Sequence, residues 1–345
     1  MGFGIIGSGS WGTAIAKMLS ENGVPLIWCV RNDDIVNQIQ KRKHNPNYLR
    51  SVYFDTTQLD LTSNPKYVFE NADHIVIAIP SDYVMEQFDG LSTDELASKK
   101  IISAVKGILP SENLLLNDWL KKKFEFDPSN YFTIMGPCHA EEVASEKLSY
   151  LTFSGLHEEE ADKIAENFKS DHINVVINHD IYGVQYAAIL KNIYALGSGI
   201  AHGLEYGDNF LSVLIANCAD EMAGFLRKVG IRNIEVGIHS GIDPLHHKKS
   251  PNYAASVYLG DLLVTCYSLF SRNRTFGTMI GKGYSVKSAQ LEMNMVAEGY
   301  KASKCMHDIN KEVGADAPIL ETIYNILWQS LPAGEGFRQI EESLV

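Results

Sequence analysis

The hexapeptide Gly7-Ser8-Gly9-Ser10-Trp11-Gly12 constrains this chain more than any other segment, because of what stands on either side of it. It directly follows an apolar run, Phe3–Ile6, and it opens a helical pattern reaching about Asn22, with Gly23 as C-terminal cap. A second apolar run, 26–30, comes next, so the segment reads as a βαβ unit. A glycine-rich turn between strand and helix is the context in which G-x-G-x-x-G binds a dinucleotide. Gly7, Gly9 and Gly12 permit the tight turn and let the backbone approach a pyrophosphate, whose charge then rests on N–H groups at the positive end of the helix. Where an NAD-specific site carries an acid, the second strand ends in Arg31-Asn32 and only then Asp33. Arg31 suits the 2′-phosphate of NADP(H), with NAD(H) an accompanying possibility.

Further short apolar runs follow at 75–79, 101–105, 132–135, 150–153 and 175–177, several of them separated by helical patterns. Strands alternating with helices predict an α/β fold: a Rossmann-type, doubly wound, mostly parallel sheet covered on both faces. After Asn178 long helical patterns take over, at 184–201, 210–229 and 285–313, which predicts an all-α second part. A chain of 345 residues exceeds one ordinary core. The boundary is expected near 180, giving a dinucleotide domain over 1–179 and a helical domain over 180–345.

A net charge of -12 argues against nucleic acid as a partner, so an anionic ligand requires a local basic pocket. The five cysteines are widely spaced with no C-x-x-C pair, which fits free thiols in the cytoplasm. The apolar stretch 183–204 is interrupted by Gln185, Lys191, Asn192 and His202, and reads as a buried helix rather than a membrane span. No signal peptide is visible at the N-terminus. The polar segment 237–253 carries His246, His247, Lys248 and Lys249; no third ligand stands at helical spacing, so it reads as a solvated loop and no metal is expected.

Ligands of open α/β sheets bind beyond the carboxyl ends of the strands. Three runs end there in suggestive residues: 77–79 in Pro80-Ser81, 101–105 in Lys106-Gly107, and 132–135 in Gly136-Pro137-Cys138-His139-Ala140. Lys106 can present a point charge to a carbonyl or phosphate oxygen. Lys191 is more informative, because its helix is apolar on nearly every side, with Ala187, Ala188, Tyr194 and Ala195 around it. Lysines are seldom buried without a partner or a purpose. Burial lowers a lysine pKa and suits it to general acid–base work, although a structural ion pair would also explain it. Asp261 can orient a lysine or accept from a substrate hydroxyl. Ser271-Arg272-Asn273-Arg274 offers donors for a phosphate, or is a charged loop.

Taken together, eight segments in order resemble the bacterial-type NAD(P)-dependent glycerol-3-phosphate dehydrogenase family. They are 7–14 (GSGSWGTA), 105–108 (VKGI), 136–140 (GPCHA), 190–203 (LKNIYALGSGIAHG), 207–209, 259–266 (LGDLLVTC), 271–277 (SRNRTFG) and 296–299 (VAEG). The resemblance implies a C-terminal domain like that of 6-phosphogluconate dehydrogenase. It also implies reversible hydride transfer between NAD(P)H and dihydroxyacetone phosphate, giving sn-glycerol 3-phosphate for phospholipid synthesis. By the same resemblance Ser10, Trp11, Arg31, Lys106, Ala140, Arg272, Val296 and Glu298 contact the cofactor. Lys106, Gly136, Cys138, Lys191, Asp261, Ser271, Arg272 and Asn273 contact the substrate. Lys191 is the proton acceptor of the oxidation direction, with Lys106 and Asp261 beside it in the chemistry. Cys138 departs from the family's usual Ser or Thr, and the segment before Leu259 is longer than usual. The rival readings are another reductase of this architecture, of the 2-dehydropantoate or 6-phosphogluconate type, and a dinucleotide sensor without catalysis. A homodimer is the default assembly.

Overall fold

The computed structural model describes residues 2–231, 254–293 and 297–344; the expected loop with His246 and His247, and the site residue Val296, lie outside them. The chain divides into two compact units, Met1–Ile181 and Tyr182–Val345.

The first is a sheet unit of eight strands: β1 (Phe3–Ile6), β2 (Leu26–Cys29), β3 (Leu59–Thr62), β4 (His74–Ile77), β5 (Lys100–Ser103), β6 (Tyr131–Met135), β7 (Ser149–Gly155) and β8 (Ile173–Asn178). Its helices are α1 (Ser10–Glu21), α2 (Asp33–Arg42), α3 (Pro65–Asn71), α4 (Thr93–Ala97), α5 (Leu116–Phe124), α6 (Ala140–Ala144) and α7 (Glu158–Ala165). The strand order is β3-β2-β1-β4-β5-β6-β7-β8. β1 to β6 run parallel, whereas β7 is antiparallel to β6 and carries β8 parallel to itself.

Successive side chains of a strand point to opposite faces, and here both faces are covered. Phe3, Ile5, Trp28, Val76 and Ile102 pack with Ala14, Ile15, Met18 and Leu19 of α1. Ile6, Cys29, Ile75, Ile77 and Ile101 pack on the other side with Val68 and Phe69 of α3 and Trp119 of α5. This double burial is why every residue of β1, β4 and β6 is buried, and why these strands read as mainly apolar runs rather than alternating ones. β3 was not among the expected strands. It is the sheet's edge, four residues long, and its Asp60 is exposed and accepts from Tyr67 Oη at 2.8 Å.

In the helical unit the described residues form no strand. They build α8 (Ile181–Gly203), α9 (Asp208–Lys228), a π-helical stretch Ala254–Gly260 leading into α10 (Asp261–Tyr267), α11 (Arg272–Gly281), α12 (Val286–Glu292), α13 (Glu298–Val313), α14 (Pro318–Trp328) and α15 (Ala333–Ser343). The continuous helix expected over 285–313 is therefore two helices, with Met293 and Ala297 extended. Tertiary contact decides this break. A Cβ on Gly299 would lie 2.5 Å from Asn192 O, so α13 begins where its backbone rests on α8.

Candidate active site

In the sheet unit the glycine turn lies where α1 leaves β1, between β2 and β4, at the carboxyl ends of the strands. Gly7 has φ of +132°, and a Cβ there would stand 2.3 Å from Ala78 O on the neighbouring strand's exit. A Cβ on Gly12 would stand 2.3 Å from Gly7 O, whereas one on Gly9 would meet nothing within 4 Å. The first and third glycines close the turn, and the second keeps its outer side open. Neighbours on the protein side satisfy the turn's carbonyls: Trp28 Nε1 donates to Gly7 O at 2.9 Å, Asn45 Nδ2 to Ser8 O at 3.0 Å, and Thr13 Oγ1 to Gly9 O at 2.8 Å.

No side chain caps α1, whereas Asn32, Asn64 and Ser92 cap α2, α3 and α4. The first-turn N–H groups of α1 thus remain for an anion. Trp11 Nε1 is a further donor there, buried with no acceptor. Together the cradle and its open donors fit a dinucleotide.

At the end of β2, Asn32 accepts from Ile35 N at 3.0 Å and Asp33 accepts from Ser63 Oγ. Both are committed to the protein. Arg31 is exposed, and its guanidinium has no acidic partner among the described residues.

Lys106 stands in a loop rather than directly on its strand, since β5 ends at Ser103. A Cβ on Gly107 would meet Ser81 Oγ at 2.5 Å, so the exits of β4 and β5 close on each other. Lys106 Nζ lies 5.6 Å from the centre of the Trp11 ring. Gly136, at φ of +123°, turns the chain after β6 close over Tyr150 O. Cys138 is buried in the core with Ala140 and Val143, and its thiol donates to Gly136 O at 3.4 Å.

In the helical unit Lys191, at mid-α8, forms an ion pair with Asp261 at the start of α10, and each side chain is only 3 % exposed. Desolvating both charges is costly, so a sealed pair of this kind is weak evidence for stability by itself. Cys266 lies near Lys191, and burial pushes its thiol up to about 12, so it stays neutral and is no base. Ser271 caps α11 by accepting from Arg274 N at 3.3 Å. Asn273 donates to Asn192 Oδ1 at 3.0 Å and accepts from Gly299 N at 3.0 Å, which leaves one of its two N–H donors. Arg272 is exposed at the first position of α11, and Glu298 is half-buried at the first position of α13.

Asn192 was not singled out as a functional candidate, although it ties α8 to Asn273. Its signal is a polar residue next to Lys191 in a mostly apolar helix.

Glycines bring these elements together. A Cβ on Gly199 would lie 2.1 Å from Arg274 O, on Gly203 2.4 Å from Thr278 O, on Gly277 2.1 Å from Leu196 O and on Gly281 2.3 Å from Ile200 O. α8 and α11 therefore cross backbone on backbone, which fixes the start of α11 relative to Lys191 and Asn192. Among the described residues no three His, Cys, Asp or Glu side chains group as a metal site.

Known proteins give the family. A family model described as the N-terminus of NAD-dependent glycerol-3-phosphate dehydrogenase matches residues 3–161, and the model of its C-terminus matches 180–337. The chain belongs to this family. A glycerol-3-phosphate dehydrogenase (NAD(P)+) of Prosthecochloris aestuarii is 32% identical over 329 residues, 95% of this chain and 94% of the relative. One from Pelodictyon phaeoclathratiforme is 30% identical over 333 residues, covering 96% and 95%. The crystal structure of glycerol-3-phosphate dehydrogenase from Coxiella burnetii superposes with a TM-score of 0.84 at 26% identity, over 99% of this chain and 98% of that one. Membership in the glycerol-3-phosphate dehydrogenase family agrees with the sheet-plus-helices architecture. No described helix is long and apolar enough to cross a membrane.

Proposed function

We propose that this chain reversibly reduces dihydroxyacetone phosphate to sn-glycerol 3-phosphate with NAD(P)H. The observation that carries the reading is the buried Lys191–Asp261 pair in a helical unit whose family is that of the dehydrogenase. Residues 1–179 hold the dinucleotide and 180–345 supply the acid–base group. Gly7, Gly9, Ser10, Trp11 and Gly12 receive the pyrophosphate, Arg31 the 2′-phosphate, and Ala140, Val296 and Glu298 further parts of the dinucleotide. Bound there, the dihydronicotinamide supplies the hydride.

Lys191 Nζ gives its proton to the substrate O2 as negative charge develops on that oxygen, and takes it back in the oxidation direction. Asp261 holds the ammonium in place. Lys106 adds positive charge at the carbonyl oxygen. Arg272, the remaining N–H of Asn273 and the α11 N-terminus suit the phosphate, with Ser271, Gly136 and Cys138 shaping the rest.

The product feeds phospholipid synthesis, and the working form is a cytoplasmic homodimer. Nicotinamide absorbance tests the central reaction. NADPH or NADH is consumed with dihydroxyacetone phosphate and not with 2-dehydropantoate. Consumption only with the latter, or with neither, overturns the reading.

A further inference from the structure

Lys106 has no carboxylate partner among the described residues, although it is half-buried. An ammonium carries three donors, and with no carboxylate to hold it Nζ is confined only by what its stem packs against. What it meets is the indole face of Trp11, at 5.6 Å from the ring centre, within the range over which a cation is drawn to an aromatic ring.

Trp11 is itself incomplete. Its ring packs on the core, yet its Nε1–H is buried with no acceptor. The indoles of Trp28 and Trp328 have theirs, Gly7 O at 2.9 Å and Ser303 Oγ at 3.0 Å. Tryptophan N–H groups usually find a partner when buried. Trp11 is the second residue of α1, so the helix that opens on the glycine turn also fixes this ring. A flexible four-carbon stem is confined by a rigid face. An unsatisfied indole N–H and an ammonium with no carboxylate partner among the described residues therefore stand beside the turn.

We infer that Trp11 is a positioning residue for Lys106: its ring face confines the ammonium, and its N–H is completed by an oxygen of the bound dinucleotide. The inference rests on the reading of Lys106 as a charge for the substrate carbonyl. It adds that dinucleotide binding, by fixing the indole, sets Lys106 before the triose phosphate arrives.

A double-mutant cycle separates this from a structural role. Trp11→Leu lowers kcat about tenfold when Lys106 is present and less than about twofold in a Lys106→Ala background. Equal losses in both backgrounds overturn the inference. Trp11→Phe keeps a ring face without the N–H. It raises the KM for dinucleotide several-fold and lowers kcat less than the leucine variant does; a kcat loss as deep as that of the leucine variant is the contrary result.

Two measurements need no turnover. In protein carrying 13C-lysine, the ε-methylene signal that disappears in Lys106→Ala is displaced by the indole ring current, and in Trp11→Phe and Trp11→Leu it changes position. A Lys106 signal at the ordinary lysine position in the unmodified protein defeats the inference, whether or not the chain acts on dihydroxyacetone phosphate. Indole emission responds to dinucleotide alone, and that response is diminished in Trp11→Phe. A response to dihydroxyacetone phosphate alone, with none to dinucleotide, assigns the acceptor to the other ligand and is equally contrary.

Discussion

At the scale of single residues, the Lys191–Asp261 pair and Arg31 illustrate opposite uses of charge. The first is sealed from water, so each partner depends on the other; removing one leaves an uncompensated charge in the interior, a change that costs about 3–5 kcal/mol. Asp261→Asn keeps the shape and removes the charge, and is expected to lower kcat about a hundredfold or more, with a smaller change in KM. Steady-state kinetics check this, and a kcat within about twofold of the parent would show that Asp261 does nothing for Lys191. Arg31 is exposed, and beside it Asn32 and Asp33 are already bonded. Arg31→Ala is expected to lower kcat/KM with NADPH about tenfold or more while changing NADH by less than about threefold. Equal effects on both cofactors would remove Arg31 from the 2′-phosphate. Lys191 was legible in the sequence because its apolar surroundings gave a charge no solvated face. Asn192 was legible only as a polar residue beside Lys191, because its partner Asn273 stands 81 positions away.

At the scale of elements, the central helix α8 is buried along most of its length and meets α11 through paired glycines four residues apart. Alanine ordinarily stabilises a helix relative to glycine by up to about 1 kcal/mol. At Gly199 and Gly277 the added methyl would instead strike a carbonyl oxygen at 2.1 Å. Gly199→Ala and Gly277→Ala are each expected to destabilise the helical unit by about 1–3 kcal/mol. Gly224→Ala in α9, where a Cβ meets nothing within 4 Å, should be neutral or stabilising. Denaturant midpoints measure all three, and a stabilised Gly199→Ala would refute the close crossing. Most strands could be read from apolar runs because both faces of the sheet are covered. β3 could not, being an edge strand in which apolar and polar residues alternate. The break between α12 and α13 escaped the sequence because helical periodicity continues through it; Gly299 against Asn192 O sets it from outside the segment.

At the scale of the whole molecule, His74 in the sheet unit and Glu221 in the helical unit are buried groups whose charged forms burial disfavours. Burial lowers His74 of β4 from 6.5 to about 4, chiefly by desolvation with Lys100 adding to it. Its folded form resists the proton that the unfolded chain accepts, so its stabilising contribution is present above 6.5 and is lost as pH falls toward 4. Glu221 of α9 is raised from 4.5 to about 7 by burial, which outweighs hydrogen bonds from Ile319 N at 2.7 Å, Leu320 N at 2.9 Å and Tyr194 Oη at 3.0 Å. Its folded form prefers the proton, so its contribution is full below 4.5 and is lost as pH rises through about 7. Thermal unfolding of the parent should therefore lose ground against Glu221→Gln as pH rises across that window, and against His74→Phe as pH falls from 6.5. Parallel curves would contradict either assignment. The net charge of -12 makes binding of a phosphorylated substrate depend on local cations, and within the helical unit the proposed function gives that part to Lys191 and Arg272. The most direct measurement is the rate of NADPH oxidation at saturating dihydroxyacetone phosphate for the parent and for Lys191→Ala. The account predicts sn-glycerol 3-phosphate as the parent's product and a kcat about a thousandfold lower in the variant; a parent that makes none, or a variant with near-normal kcat, would contradict it.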